Sequence, residues 1–155
     1  VYRSTRRRFF SVSKEATKQL LQAVYCLGFC YCELCLFEKA FYYLNMVKST
    51  GDIHHAMEYV NVLANSGDLR VFKEIETIVD DVRQQFPDDD DLPEHVQKLL
   101  SFLKRRHGYS LIEFGKLDEA EKVFKSLLDD PTSQDYAVSE LAYIQKLKSN
   151  ESPES

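Results

Sequence analysis

Apolar positions recur along this chain at three- and four-residue intervals, and each run is closed by Gly, Pro or a short polar cluster, the signature of successive amphipathic helices. From Ser13, an expected N-cap, the run Ala16, Leu20, Ala23, Val24, Leu27 and Tyr31 predicts a helix ending near Cys32 to Leu34. A second helix is expected over 36–49 after a tight turn, with Gly51 as its C-terminal signal. Asp52 would cap a third helix, 53–65, and Gly67-Asp68 would open a fourth from Leu69 to about Gln85, which Pro87 ends. Asp91 and Glu94 have capping-box spacing for a long fifth helix through Phe114, with Pro93 in its first turn. Gly115 marks the next turn, 117–128 a sixth helix, and Asp130-Pro131 opens a seventh from Thr132 to about Leu147. No strand-like alternation occurs, so the expected class is all-α with about seven helices.

Three stretches repeat one helical-hairpin pattern. Gly28 is followed by Ala40, Leu44 and Val47, and Gly108 at the same intervals by Ala120, Phe124 and Leu127; a middle stretch runs Val60, Phe72, Val79. A small residue facing a small residue lets two helices approach closely, while the larger apolar residues fill the seam between hairpins. The expected architecture is therefore stacked antiparallel helical hairpins. The second interval is longer than the first, and the acidic run Asp88 to Asp91 with the extended fifth helix absorbs the difference.

The segment HGYSLIEFGKLDEAEKVFKSLLDDP (107–131) carries Gly108, Leu111, Gly115, Leu117, Ala120, Phe124, Leu127 and Pro131 in an order that resembles the tetratricopeptide repeat (TPR) family. The segment 27–51 keeps Leu27, Gly28, Tyr31, Phe37, Ala40 and Leu44 without the closing Pro. The middle copy keeps Gly67 and Leu69 but has Phe72 at a small position and Glu76 at a large apolar one. The chain has no Trp, and Lys104 stands where an aromatic often begins the repeat. The resemblance spans roughly residues 20–147 and implies a right-handed α-solenoid whose last helix caps the array. It also implies protein or peptide binding without chemistry, with self-association as a further possibility of the same surface.

In that family the first helix of each hairpin lines a concave groove. By register the groove would present Gln22, Tyr25, Phe29 and Glu33, then His54, Met57, Asn61 and Asn65, then Phe102, Arg105, Tyr109 and Glu113. Aromatic, Met, Asn and Arg side chains combine apolar area with fixed donors, which suits peptide recognition. Packing between helices is the competing use of Tyr25, Phe29 and Met57. The Lys-and-Asn carboxylate clamp by which some family members hold an acidic chaperone tail is not reproduced, because only Arg105 supplies positive charge.

Composition narrows the alternatives. At 155 residues and 44% hydrophobic content the chain can bury one core, expected over 13–148 between an Arg-rich linker or arm (1–12) and a polar, disordered tail (149–155). The 20 Lys and Arg against 25 Asp and Glu give a net charge of −5, which disfavours generic nucleic-acid binding. Arg6-Arg7-Arg8 before Phe9-Phe10 is the one local exception. The longest uncharged stretch, Gln19 to Cys32, is too short to cross a bilayer.

All four Cys lie between 26 and 35, a poor distribution for disulfide stapling and an ordinary one for buried thiols in the cytoplasm. On a helix Cys26 and Cys30 share a face that Cys32 and Cys35 do not, so no zinc site is expected, and no other metal or cofactor. The acidic run has no Gly at its turn and no later bidentate Glu at calcium-loop spacing. His54, His55, His95 and His107 form no ligand or catalytic spacing, so the chain is not expected to be an enzyme. The runner-up to a binding scaffold is an all-α regulatory or sensor domain of a larger protein with an upstream enzyme or DNA-binding part, a reading that Val1 in place of an initiator Met invites. A small helical enzyme with an assembled site is the third reading.

Overall fold

A computed structural model describes residues 2–48, 50 and 52–151, with side chains from Glu15 onward. Seven α-helices and no strand occur among them: α1 (Tyr2–Glu33), α2 (Phe37–Val47), α3 (Ile53–Asn65), α4 (Arg70–Gln85), α5 (Glu94–Glu113), α6 (Leu117–Ser126) and α7 (Gln134–Glu151). A short 3₁₀ turn, Asp89–Asp91, occupies the acidic run. Two compact units divide the chain, residues 1–62 and 63–155, with the boundary inside α3 where one core had been expected.

Three helix starts follow from Asx chemistry. Asp52 Oδ1 accepts the His54 N–H at 2.8 Å and Asp130 Oδ1 accepts the Thr132 N–H at 2.9 Å, satisfying donors that a helix start leaves open. Asp68 Oδ1 does the same for the Arg70 N–H at 2.9 Å. Two expected starts are corrected. α1 begins at Tyr2, so Ser13 is an interior residue and not its N-cap, and residues 2–12 of the expected linker or arm are helical. α5 begins at Glu94 behind Pro93, whose fixed φ of −55° leads into the helix, and Asp91 belongs to the 3₁₀ turn, so no capping box forms. Ser49 and Gly51, the expected end of α2, and residues 152–155 of the expected tail lie outside the described residues.

One turn is used three times. The residue in the left-handed region is Cys35 (φ 57°), Gly67 (φ 65°) or Gly115 (φ 75°). At each, its own N–H reaches the carbonyl three residues back: Cys35 to Cys32 at 2.9 Å, Gly67 to Ala64 at 3.1 Å, Gly115 to Ile112 at 3.0 Å. The next N–H reaches five residues back: Leu36 to Tyr31 at 2.9 Å, Asp68 to Leu63 at 3.0 Å, Lys116 to Leu111 at 2.8 Å. This is the Schellman motif, which ends a helix while using up its free carbonyls. Gly67 and Gly115 reach that conformation at no steric cost; Cys35 carries a Cβ there.

In the first unit α2 packs on α1. The expected small-on-small contact is corrected in detail. Gly28 faces Leu44, and a Cβ on it would lie 2.5 Å from Leu44 Cγ. The glycine is a recess for a large side chain, and Ala40, Leu44 and Val47 are fully buried around it. From α3 the buried Tyr59 joins it, with Phe41 tilted against its ring at 5.6 Å.

In the second unit α4 packs on α5, α5 on α6 and α6 on α7. Gly108 repeats the recess: a Cβ there would lie 2.7 Å from the Phe124 ring. Leu111, Leu117, Ala120, Phe124, Leu127, Ala137 and Ile144 form one core across α5, α6 and α7. Outside it, Lys148 of α7 clasps α6, with Nζ 2.6 Å from Asp118 Oδ1 and 2.5 Å from Glu121 Oε2.

Candidate functional site

The seven groove candidates in the first unit are only partly gathered. Tyr25 of α1 is half-buried and stacks on the imidazole of His55 at 4.6 Å, and Phe29 lies one turn on at 6.5 Å from the Tyr25 ring. Burial, reinforced by the nearby Glu58 and Asp52 carboxylates, raises the Tyr25 phenol above its ordinary pKa, so it stays a donor at neutral pH. Gln22, Glu33 and His54 are exposed, and Met57 and Asn61 half-buried. The histidine that matters is the neighbour of the expected one. His55 is buried, exchanges a 2.7 Å hydrogen bond between Nδ1 and Thr50 Oγ1, and leaves Nε2 without a hydrogen bond at 3.9 Å from Asp52 Oδ2. On a helix two adjacent residues point about 100° apart, so the His54-His55 pair could not serve one face.

In the second unit Phe102, Arg105 and Tyr109 lie half-buried along α5, Glu113 is exposed at its end, and Asn65 is exposed at the end of α3. Arg105 is held in place. Its Nη1 donates to Ser133 Oγ at 2.8 Å and Ser101 Oγ at 3.3 Å, and its guanidinium sits 4.8 Å from the centre of the Tyr136 ring of α7. Ser101 and Ser133 are themselves buried and hydrogen-bonded to each other. One turn along, Tyr109 meets Phe124 edge-on at 5.5 Å, and burial with the Glu140 carboxylate raises its phenol pKa. Burial likewise raises the pKa of Glu140, which widens the pH range in which it can carry a proton. Register alone identified Arg105 and Tyr109; Tyr136 and Glu140 were missed because α7 was read only as a cap.

A pocket of about 770 Å³ lies in the same unit between α4, the first turns of α5 and the α6–α7 turn. Phe72, Ile75, Val79, Leu92 and Leu100 supply apolar walls, and Lys98, Lys104, Glu76 and Asp80 surround them. His107 forms one wall, edge-on to Phe72 at 5.6 Å, and burial lowers its pKa, so it is neutral at physiological pH. The extra length of α5 before Leu103 and the large Phe72 at an expected small position were the available sequence signals.

The cysteines are corrected: Cys32 alone is buried, while Cys26, Cys30 and Cys35 are exposed. No group of three or more His, Cys, Asp or Glu is placed to hold a metal ion among the described residues, and no described helix is long and apolar enough to cross a membrane. In the acidic turn Asp89 pairs with Arg83. The chain matches no protein-family model, no curated protein and no solved structure.

Proposed function

We propose that the chain is a non-catalytic, tetratricopeptide-like scaffold that binds a protein or peptide segment, with the face shared by α5 and α7 as its principal contact surface. The observation that carries the reading is the immobilised Arg105, fixed by two serines and an aromatic ring beside Tyr109 and Glu140. Arg and Tyr held rigid before binding lose little conformational entropy on binding, which is what makes such side chains energetic anchors. The guanidinium has five N–H donors, so a peptide carboxylate can bond it without displacing the serines. Three Schellman turns of one geometry, and two glycine recesses each filled from sixteen residues later, support a repeated hairpin of the tetratricopeptide kind.

The test is a selection from a displayed random-peptide library, followed by fluorescence anisotropy with the selected peptides. Arg105→Ala and Tyr136→Ala should each weaken binding about tenfold or more, the loss expected when an anchor is truncated. Selected peptides that bind both variants as tightly as the parent would contradict the assignment. A second reading, a sensor domain for a small apolar ligand, is favoured by the α4–α5 pocket, whose volume is in the range of small-molecule sites. Ligands that raise the unfolding temperature of the parent but not of Val79→Lys would select that reading.

A further inference from the structure

The buried side of α1 runs through Leu21, Val24, Tyr25, Gly28, Tyr31 and Cys32. A second apolar stripe, about 125° around the helix at 100° per residue, has no partner among the described residues. It consists of Ala16, Leu20, Ala23, Leu27, Cys30 and Leu34, all exposed; Leu20 and Leu34 keep 63% and 67% of their surface in solvent. The Leu34 N–H bonds the Cys30 carbonyl at 3.1 Å, so the stripe stays in helical register to its end. Its alternating spacing of four and three residues is the heptad pattern of a two-helix seam. Uncharged residues fill 19–32, so neither margin of the central seam carries a charge that would repel its own copy.

We infer that this stripe pairs with the same stripe of a second copy of the chain, in antiparallel orientation about a two-fold axis near Tyr25. The inference stands apart from the peptide-binding reading, which concerns α5 and α7. Orientation follows from size and charge. With residue i opposite residue 50 − i, Ala16 meets Leu34, Leu20 meets Cys30 and Ala23 meets Leu27, so each layer joins one large and one small side chain. Parallel pairing in register would instead alternate Leu–Leu layers with Ala–Ala or Cys–Cys ones, a seam of uneven width. It would also place the two Arg-rich beginnings, each with Arg3, Arg6, Arg7 and Arg8, side by side. The antiparallel pair separates those charges, setting the two basic beginnings at opposite ends of the seam. Such an isologous contact closes on itself and gives a dimer.

The margins supply a covalent readout. In the antiparallel pair Cys26 lies beside its own symmetry mate across the axis; in the parallel pair the facing thiols are those of Cys30. Sedimentation equilibrium of the reduced chain over a wide concentration range should show a shift from 18.1 kDa to twice that mass. The variant L20K/L27K, changed only at exposed positions, should remain at 18.1 kDa with unchanged helicity by circular dichroism. Mild oxidation of the parent should give a covalent dimer that Cys26→Ser abolishes and Cys30→Ser leaves intact. A chain that stays monomeric throughout overturns the proposal. So does a dimer that L20K/L27K leaves unchanged, and cross-linking that requires Cys30 and not Cys26 overturns the antiparallel register.

Discussion

The hairpins α1–α2 and α5–α6 are built on one plan, yet they end in different surroundings. Both turn through a Schellman motif, both recess a glycine under a large residue sixteen positions later, and both bury an alanine five residues past the turn. The α5–α6 hairpin is then covered by α7, whose Ala137 and Ile144 are fully buried against it. The α1–α2 hairpin keeps Leu20, Leu27, Phe29, Leu34, Leu36, Tyr42 and Met46 exposed, seven of the eleven large apolar side chains in that state among the described residues. The same local code therefore specifies a hairpin without specifying what covers it. Burial of the outer faces is a separate decision, made by the sequence of the next helix.

The largest effects should come from the residues that fill the recesses. Phe124→Ala should cost about 3–5 kcal/mol and Leu44→Ala about 2–5 kcal/mol, since both side chains are fully buried and little can collapse into the space. Chemical denaturation reads both, and a loss below about 1 kcal/mol at Phe124 would mean that the core does not converge there. Next in size are the recesses themselves. Gly108→Ala and Gly28→Ala should each destabilise by about 1–3 kcal/mol through overpacking, despite the better helix propensity of alanine. Combining Gly108→Ala with Phe124→Leu should cost less than the two changes added, because the smaller side chain makes the room the methyl needs. Ala120→Leu belongs to the same class, and thermal unfolding equal to the parent's would show that α6 does not sit on α5 as described.

The turns give a pair of opposite sign. Gly115→Ala should destabilise by about 1 kcal/mol or more, whereas Cys35→Gly should stabilise slightly, because only the second removes a side chain from a left-handed residue. Shifts of opposite sign in unfolding temperature would show that the two turns are one motif; the same sign for both would break the comparison.

The smallest effect concerns the α6–α7 clasp. Hydrogen bonds from Lys125 and then Lys148 hold the Glu121 carboxyl down to about 2, and the partners Asp118 and Glu121 hold Lys148 above the ordinary lysine range. A lowered carboxyl pKa stabilises the fold above its unfolded value of about 4.5, and that contribution fades as the pH falls from there towards 2. The raised lysine contributes below its unfolded value of 10.5 and loses its effect as the pH rises beyond its folded value. Glu121→Gln should flatten the acid limb of the stability profile; an unchanged acid limb would show that the clasp is not formed in solution.

Much of this was legible from residues. α3 and α4 begin within a residue of their expected positions because Asp52 and Asp68 cap them, and the turn at Gly115 was marked by the glycine its geometry requires. The turn at Cys35 carried no such mark, since a non-glycine residue in the left-handed region is not announced by its identity. α1 extends to Tyr2 although the first twelve residues show no sustained apolar period, so helix continuity there does not follow the burial signal that periodicity reads. At the α5–α7 face, register found Arg105 and Tyr109, but Ser133, Tyr136 and Glu140 come from another helix, and only tertiary packing brings them to the same place. The α4–α5 pocket is likewise a gap between elements, which no single segment encodes.

The most direct test of the account is hydrogen exchange on the chain with and without a selected peptide. Binding to the proposed face should slow exchange across α5 from Phe102 to Glu113 and in the first turns of α7, and leave α2 and α4 unchanged. Slowing confined to α4 and the turn at Asp130, with no change along 134–143, would contradict the account and move the binding site to the pocket.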